Sequence, residues 1–145
     1  VDLQREQLAA GLLERIPDTQ AGYRYAPGKW SVREVIGHMA DTERIMTYRA
    51  VRIARADQTP LPGFDENDFV AAAGFERRSL ASVVDEWKAV RQAAVSFFGS
   101  LTAESAARQG IVNDGPMSVR ALAYIIPGHF AHHARTLRDR YGITA

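Results

Sequence analysis

The sequence predicts an all-α protein, a four-helix bundle with long crossover connections. Three observations carry this expectation. Apolar residues recur at helical spacing in four stretches of the 145-residue chain. Between them lie Gly- and Pro-bearing links of about 15 to 20 residues, long enough to cross a bundle lengthwise. No stretch alternates with period two for long, so no sheet is expected.

The first helix is expected at about residues 3–16, where Leu3, Leu8, Leu12, Leu13 and Ile16 share a face and Pro17 ends the pattern. DTQAGYRYAPGKW is then a connection. Ser31 stands three residues before Glu34, the spacing of a capping box, and opens a second helix reaching about Ala56. Residues 57–76 have no sustained period and read as a crossover or functional loop, with Asp65, Glu66, Asn67 and Asp68 in its middle.

A third helix spans about Ser79 to Phe98, and Thr102 caps a short one to about Arg108. Residues 109–117 form a link whose Asn113-Asp114-Gly115-Pro116 is a strong turn signal. The fourth helix runs from the Ser118 cap to about Tyr141, closed by Gly142, with a kink expected at Pro127. Trp30-Ser31-Val32-Arg33 and Met117-Ser118-Val119-Arg120 open the two histidine-bearing helices alike.

Length and composition suit one domain spanning residues 1–145. Hydrophobic residues make up 46% and charged residues 24%, ordinary for a globular chain. A net charge of +1, from 18 basic and 17 acidic residues, argues against nucleic-acid or membrane partners. No apolar run reaches the ~18 residues of a membrane span, and the N-terminal stretch is not a signal peptide. A cytoplasmic protein acting on a small-molecule substrate is expected. With no cysteine, the chain offers neither disulfide, thiolate ligand nor cysteine nucleophile.

Chemistry concentrates in the four histidines. His129 and His133 are spaced i, i+4, which stacks both rings on one helix face, and His38 is the histidine available from another helix. Three imidazoles from two helices can hold a divalent metal and leave a coordination position open. His132 can replace His133 by the i, i+3 route. Imidazole suits zinc, nickel, copper and iron alike, with zinc and nickel the first candidates. No glutamate follows His129, so the zinc-protease mechanism is not supported. Asp41, Glu43, Asp65 and Asn67 are candidates to orient the rings. Asp41 and Asp65 are also the candidate catalytic bases.

KWSVREVIGHMADTE, TPLPGFDENDF and GPMSVRALAYIIPGHFAHH together resemble the DinB/YfiT-like superfamily of bacterial four-helix proteins. The resemblance covers essentially the whole chain. It implies an up-down-down-up bundle, His38, His129 and His133 as metal ligands, and a homodimer. Members are described as metal-dependent hydrolases, and some relatives are transferases or isomerases that use a low-molecular-weight thiol such as bacillithiol or mycothiol. Pro127 is this chain's chief departure from the pattern.

Three functions follow as expectations. The first is a metal-dependent S-transferase-type enzyme with a low-molecular-weight thiol as cosubstrate, its carboxylates met by Arg44, Arg49 or Arg52. The second is a hydrolase using hydroxide on the metal, with Asp41 or Asp65 as base. The third is a non-enzymatic dimeric ligand-binding module, with Trp87, Phe97 and Phe98 as candidate interface residues.

Overall fold

The computed structural model describes residues 11–143. Of the expected first helix, α1 Gly11–Glu14 is described, residues 3–10 lie outside the described residues, and the chain has left the helix by 15–16.

Helix α2, Val32–Ala54, begins where both halves of the capping box form: the Ser31 hydroxyl accepts from the Glu34 N–H, and the Glu34 carboxylate accepts from the Ser31 N–H. The Ser31 hydroxyl also donates to the Glu76 carboxylate, tying the start of α2 to the crossover.

That crossover is not a plain loop. It carries α3, Glu66–Ala73, started by Asp65 and stopped by Gly74 in the left-handed region at φ 71°, followed by a 3₁₀ turn at Phe75–Arg77. Helix α4, Leu80–Gly99, is capped by Ser79, and α5, Ala103–Ala106, by Thr102.

The expectation of no sheet is overturned. β1, Gln109–Val112, pairs antiparallel with β2, Gly115–Ser118, in a register that sets Gln109 opposite Ser118 and Val112 opposite Gly115. Asn113 and Asp114 both have positive φ, 51° and 68°, which is the two-residue hairpin loop whose twist matches the strands. Leu61 bridges to this hairpin in parallel, donating to Ile111 O and accepting from Asn113 N, both at 2.9 Å. Helix α6, Val119–Tyr141, passes through Pro127 as one helix and ends at Gly142, φ 69°.

Helix α2 packs against both α4 and α6. The interior divides into two clusters. One gathers Ile36, Met39, Phe75, Val83, Trp87, Phe130 and Leu137, and the other Ala50, Ile53, Leu61, Val112, Val119 and Leu122. Along α2 and α4, the buried Glu43–Arg91 pair falls between them, joined by two 2.7 Å hydrogen bonds. Arg91 also lies over the Trp87 ring, 4.9 Å from its centroid.

Trp87 is 1% exposed and stacks on Phe130, so it is a core residue and not the interface residue its sequence position suggested. Phe97 and Phe98 are half-buried against the second cluster. Among the described residues, no helix is long and apolar enough to cross a membrane.

Candidate metal centre

The capping box fixes where α2 starts, and two turns later its inward face presents His38, 2% exposed, with the Trp30 ring 4.7 Å away. One turn further on, Thr42 Oγ1 lies 3.4 Å from His38 Nδ1. A proton on Nδ1 shared with that hydroxyl leaves the Nε2 lone pair free to face the interior.

From α6, the i, i+4 pair brings His129 Nε2 and His133 Nε2 to 3.1 Å. His38 Nε2 stands at the same distance, 3.1 Å, from His129 Nε2. One ring nitrogen from each of the three residues lies within 4.8 Å of the others.

Burial holds all three rings neutral. Desolvation, reinforced by His129, lowers His38 to about 4. Desolvation with His132 lowers His129 to about 4, and desolvation with its histidine neighbours lowers His133 to about 3.

A neutral ring nitrogen carries either one proton or one lone pair. His129 Nε2 can therefore make only one of its two close contacts as a hydrogen bond. A cation satisfies all three lone pairs at once. Around an ion bonded at about 2.0–2.1 Å, neighbouring donors stand about 3.0 Å apart in an octahedron and about 3.4 Å apart in a tetrahedron. The observed 3.1 Å spacings fall in that range. The residues fit a metal.

Glu66, the first residue of α3, brings Oε2 to 3.6 Å from His38 Nε2, with its side chain 55% exposed. It is therefore a carboxylate at the mouth of the cluster. It stood in the middle of the crossover in the sequence without being singled out from its neighbours. The signal that marks it is the Asp65 cap, which starts a helix there. Thr42 was missed for a similar reason, since a threonine one turn past a histidine carries no motif.

The other sequence candidates have partners of their own or stand at the margin of the group. Asp65 caps α3, accepting from Asp68 N at 3.0 Å. Asp41 faces Arg44 at 3.9 Å, and burial and Glu86 raise its carboxyl above the usual range against the pull of Arg44 and Arg78. Glu43 is held by Arg91. Asn67 lines a cleft that reaches His133.

His132 is exposed, ring edge to His133 at 5.0 Å, and lies outside the close group. Arg44 is engaged by Glu86, Arg52 by Asp57 and Tyr48, and Arg49 by the Pro62 carbonyl at 2.9 Å.

Comparison with solved structures places this architecture. YfiT from Bacillus subtilis, described as a probable metal-dependent hydrolase with an unusual four-helix bundle topology, superposes with a TM-score of 0.77 at 20% identity, over 98% of this chain and 86% of that one. The mycothiol-dependent maleylpyruvate isomerase gives a TM-score of 0.74 at 11% identity, over 100% of this chain and 62% of the other. At these identities the likeness is one of fold, and it is to a four-helix bundle. No curated protein sequence matches the chain. The family model of the DinB superfamily matches residues 2–137, and the chain belongs to that superfamily.

Proposed function

We propose that this protein is a metal-dependent enzyme in which His38, His129 and His133 hold one divalent cation and Glu66 takes the proton of the attacking nucleophile. The observation that carries the reading is the meeting of three neutral Nε2 atoms beside a partly exposed carboxylate. A bound cation of this type, zinc or nickel first, acts as a Lewis acid and lowers the pKa of a nucleophile in its open position. Thr42 fixes the tautomer of His38, Trp30 shields that ring from water, and Glu66 accepts the proton.

Hydrolysis of a small molecule suits these residues best. Water needs a base even when its pKa is lowered, and Glu66 supplies one. The second reading is transfer to a low-molecular-weight thiol. It is favoured by the absence of cysteine from the chain, since a sulfur nucleophile has to come from outside, and by the shared fold of a mycothiol-dependent isomerase. A coordinated thiol ionises without a base, so this reading leaves Glu66 without its task.

The test is elemental analysis of untagged protein followed by turnover of ester and amide substrates, with and without added thiols. Hydrolysis without thiol, lost in His38→Ala and His133→Ala together with the metal, is expected. Turnover of monochlorobimane that requires both metal and thiol would transfer the assignment to the second reading. Absence of metal from the wild type after exposure to zinc or nickel would overturn both.

A further inference from the structure

Beside the histidines lies a cleft of about 220 Å³ whose walls include Tyr25, Lys29, Trp30, Asn67, His133 and Tyr141. It reaches the candidate metal centre through His133, and Asn67 follows Glu66 directly on α3. We infer that this cleft binds the acidic group of a small planar carboxylate, with Lys29 as the residue that selects for negative charge. The inference deepens the proposed function, on which it rests, by naming a substrate class.

Lys29 is the cation on the cleft wall, and its backbone is pinned. Its N–H donates to Ala26 O at 3.2 Å, and its carbonyl accepts from Arg24 Nη1 at 2.6 Å. Arg24 is itself anchored to Glu34 at 2.7 Å. The ammonium group is not so engaged. It lies 5.9 Å from the centroid of the Tyr25 ring, and among the described residues no carboxylate comes within ion-pair distance of it.

Arg140 approaches the same ring at 5.4 Å, also without a carboxylate partner among the described residues. Two nearby arginines are paired, Arg24 with Glu34 and Arg33 with Glu76. With Lys29 on the wall and Arg140 over the same tyrosine, positive charge gathers on the Tyr25 side, while the Glu66 carboxylate stands at the histidines.

The rest of the wall fits a flat molecule. Tyr25, Trp30 and Tyr141 line it with aromatic side chains, and the Asn67 amide offers both a donor and an acceptor. A cavity of about 150 Å³ lined by apolar side chains takes benzene. The cleft here, about 220 Å³ and open to solvent on one side, is large enough for such a ring with a carboxylate attached. His133 on the same wall makes the cleft continuous with the histidine group.

The test is titration of ¹⁵N-labelled protein with benzoate and with neutral benzamide, on the chain as purified and again after zinc loading. Saturable benzoate shifts are expected at the Lys29 amide, the Trp30 indole and the Asn67 side-chain amide, with benzamide binding about tenfold more weakly. Lys29→Met should erase the preference and Lys29→Arg should keep it. Equal binding of the two probes, no binding of either, or a preference that survives Lys29→Met would overturn the inference. Benzoate binding that needs zinc and ignores Lys29 is ligation to the metal and overturns it too. A Lys29-dependent preference in a protein that takes up no metal leaves this inference standing and removes the metal-based function.

Discussion

The Phe75 ring rests against Gly37, occupying the space where a Cβ would stand. Gly37 is the residue before His38, so this contact lets the 3₁₀ turn of the crossover close over α2 at the site. Gly37→Ala gains about 1 kcal/mol of helix propensity, but it forces the buried Phe75 ring aside, an overpacking cost of about 1–3 kcal/mol. A net loss of stability is expected in urea denaturation, with lower turnover at unchanged metal content, because α3 and Glu66 shift with Phe75.

Glu66→Gln keeps the shape of the side chain and removes its basicity. If Glu66 takes the proton of the nucleophile, turnover falls by about 10²- to 10⁴-fold while metal content stays at the wild-type level. Parallel kinetics and elemental analysis check this. A loss of metal with turnover would make Glu66 a ligand instead of a base.

The histidines make metal-free protein sensitive to acid. Their ordinary value is 6.5, and in the fold it falls to about 4 for His38 and His129 and about 3 for His133. Above 6.5 both folded and unfolded rings are neutral and nothing is lost. Below it the unfolded chain binds protons that the fold refuses, so stability declines as pH falls from about 6.5 toward 3. Thermal melts across this window should show the decline, and His129→Asn should lose less than wild type.

Tyr141 gives the opposite edge. Its hydroxyl donates to the Trp30 carbonyl at 2.7 Å, and burial, with Tyr25, raises its pKa from 10.0 to about 12. The fold holds the phenol neutral, so its contribution is complete below pH 10 and is lost as pH rises through about 12. Tyr141→Phe should cost about 1 kcal/mol at pH 7 and flatten the alkaline limb of a melting-temperature profile.

The buried pair answers a different question. Arg91→Met strands the Glu43 carboxylate in the interior, and a loss of about 3–5 kcal/mol is expected in chemical denaturation. Replacing both partners, with Glu43→Leu and Arg91→Met together, should recover much of that loss, because no uncompensated charge remains.

The long helices were legible because their ends carry chemistry that acts locally. Ser31 with Glu34 fixed the start of α2, and Ser118 and Gly142 bounded α6, each within a residue or two of the observed limits. The histidine group was legible because i, i+4 spacing is a property of one helix and His38 had no rival. The hairpin was not legible. Its strands are four residues each, one holds a Gly and the other a Gly and a Pro, and their pairing with Leu61 comes from far along the chain. Helix α3 was hidden because eight residues of it sit among turn formers. With it went Glu66, whose place depends on how the crossover folds back over α2 and not on any spacing along the chain.

The division of the interior has a practical corollary. Metal uptake by the histidines should slow amide exchange mainly at their pole of the bundle, around Trp30, Met39 and Phe130, with the effect fading past the charged rung of Glu43 and Arg91. The opposite pole, with the Asn113-Asp114 reverse turn at its tip, is the natural place to graft a tag or reporter without disturbing whatever reaction the histidines support.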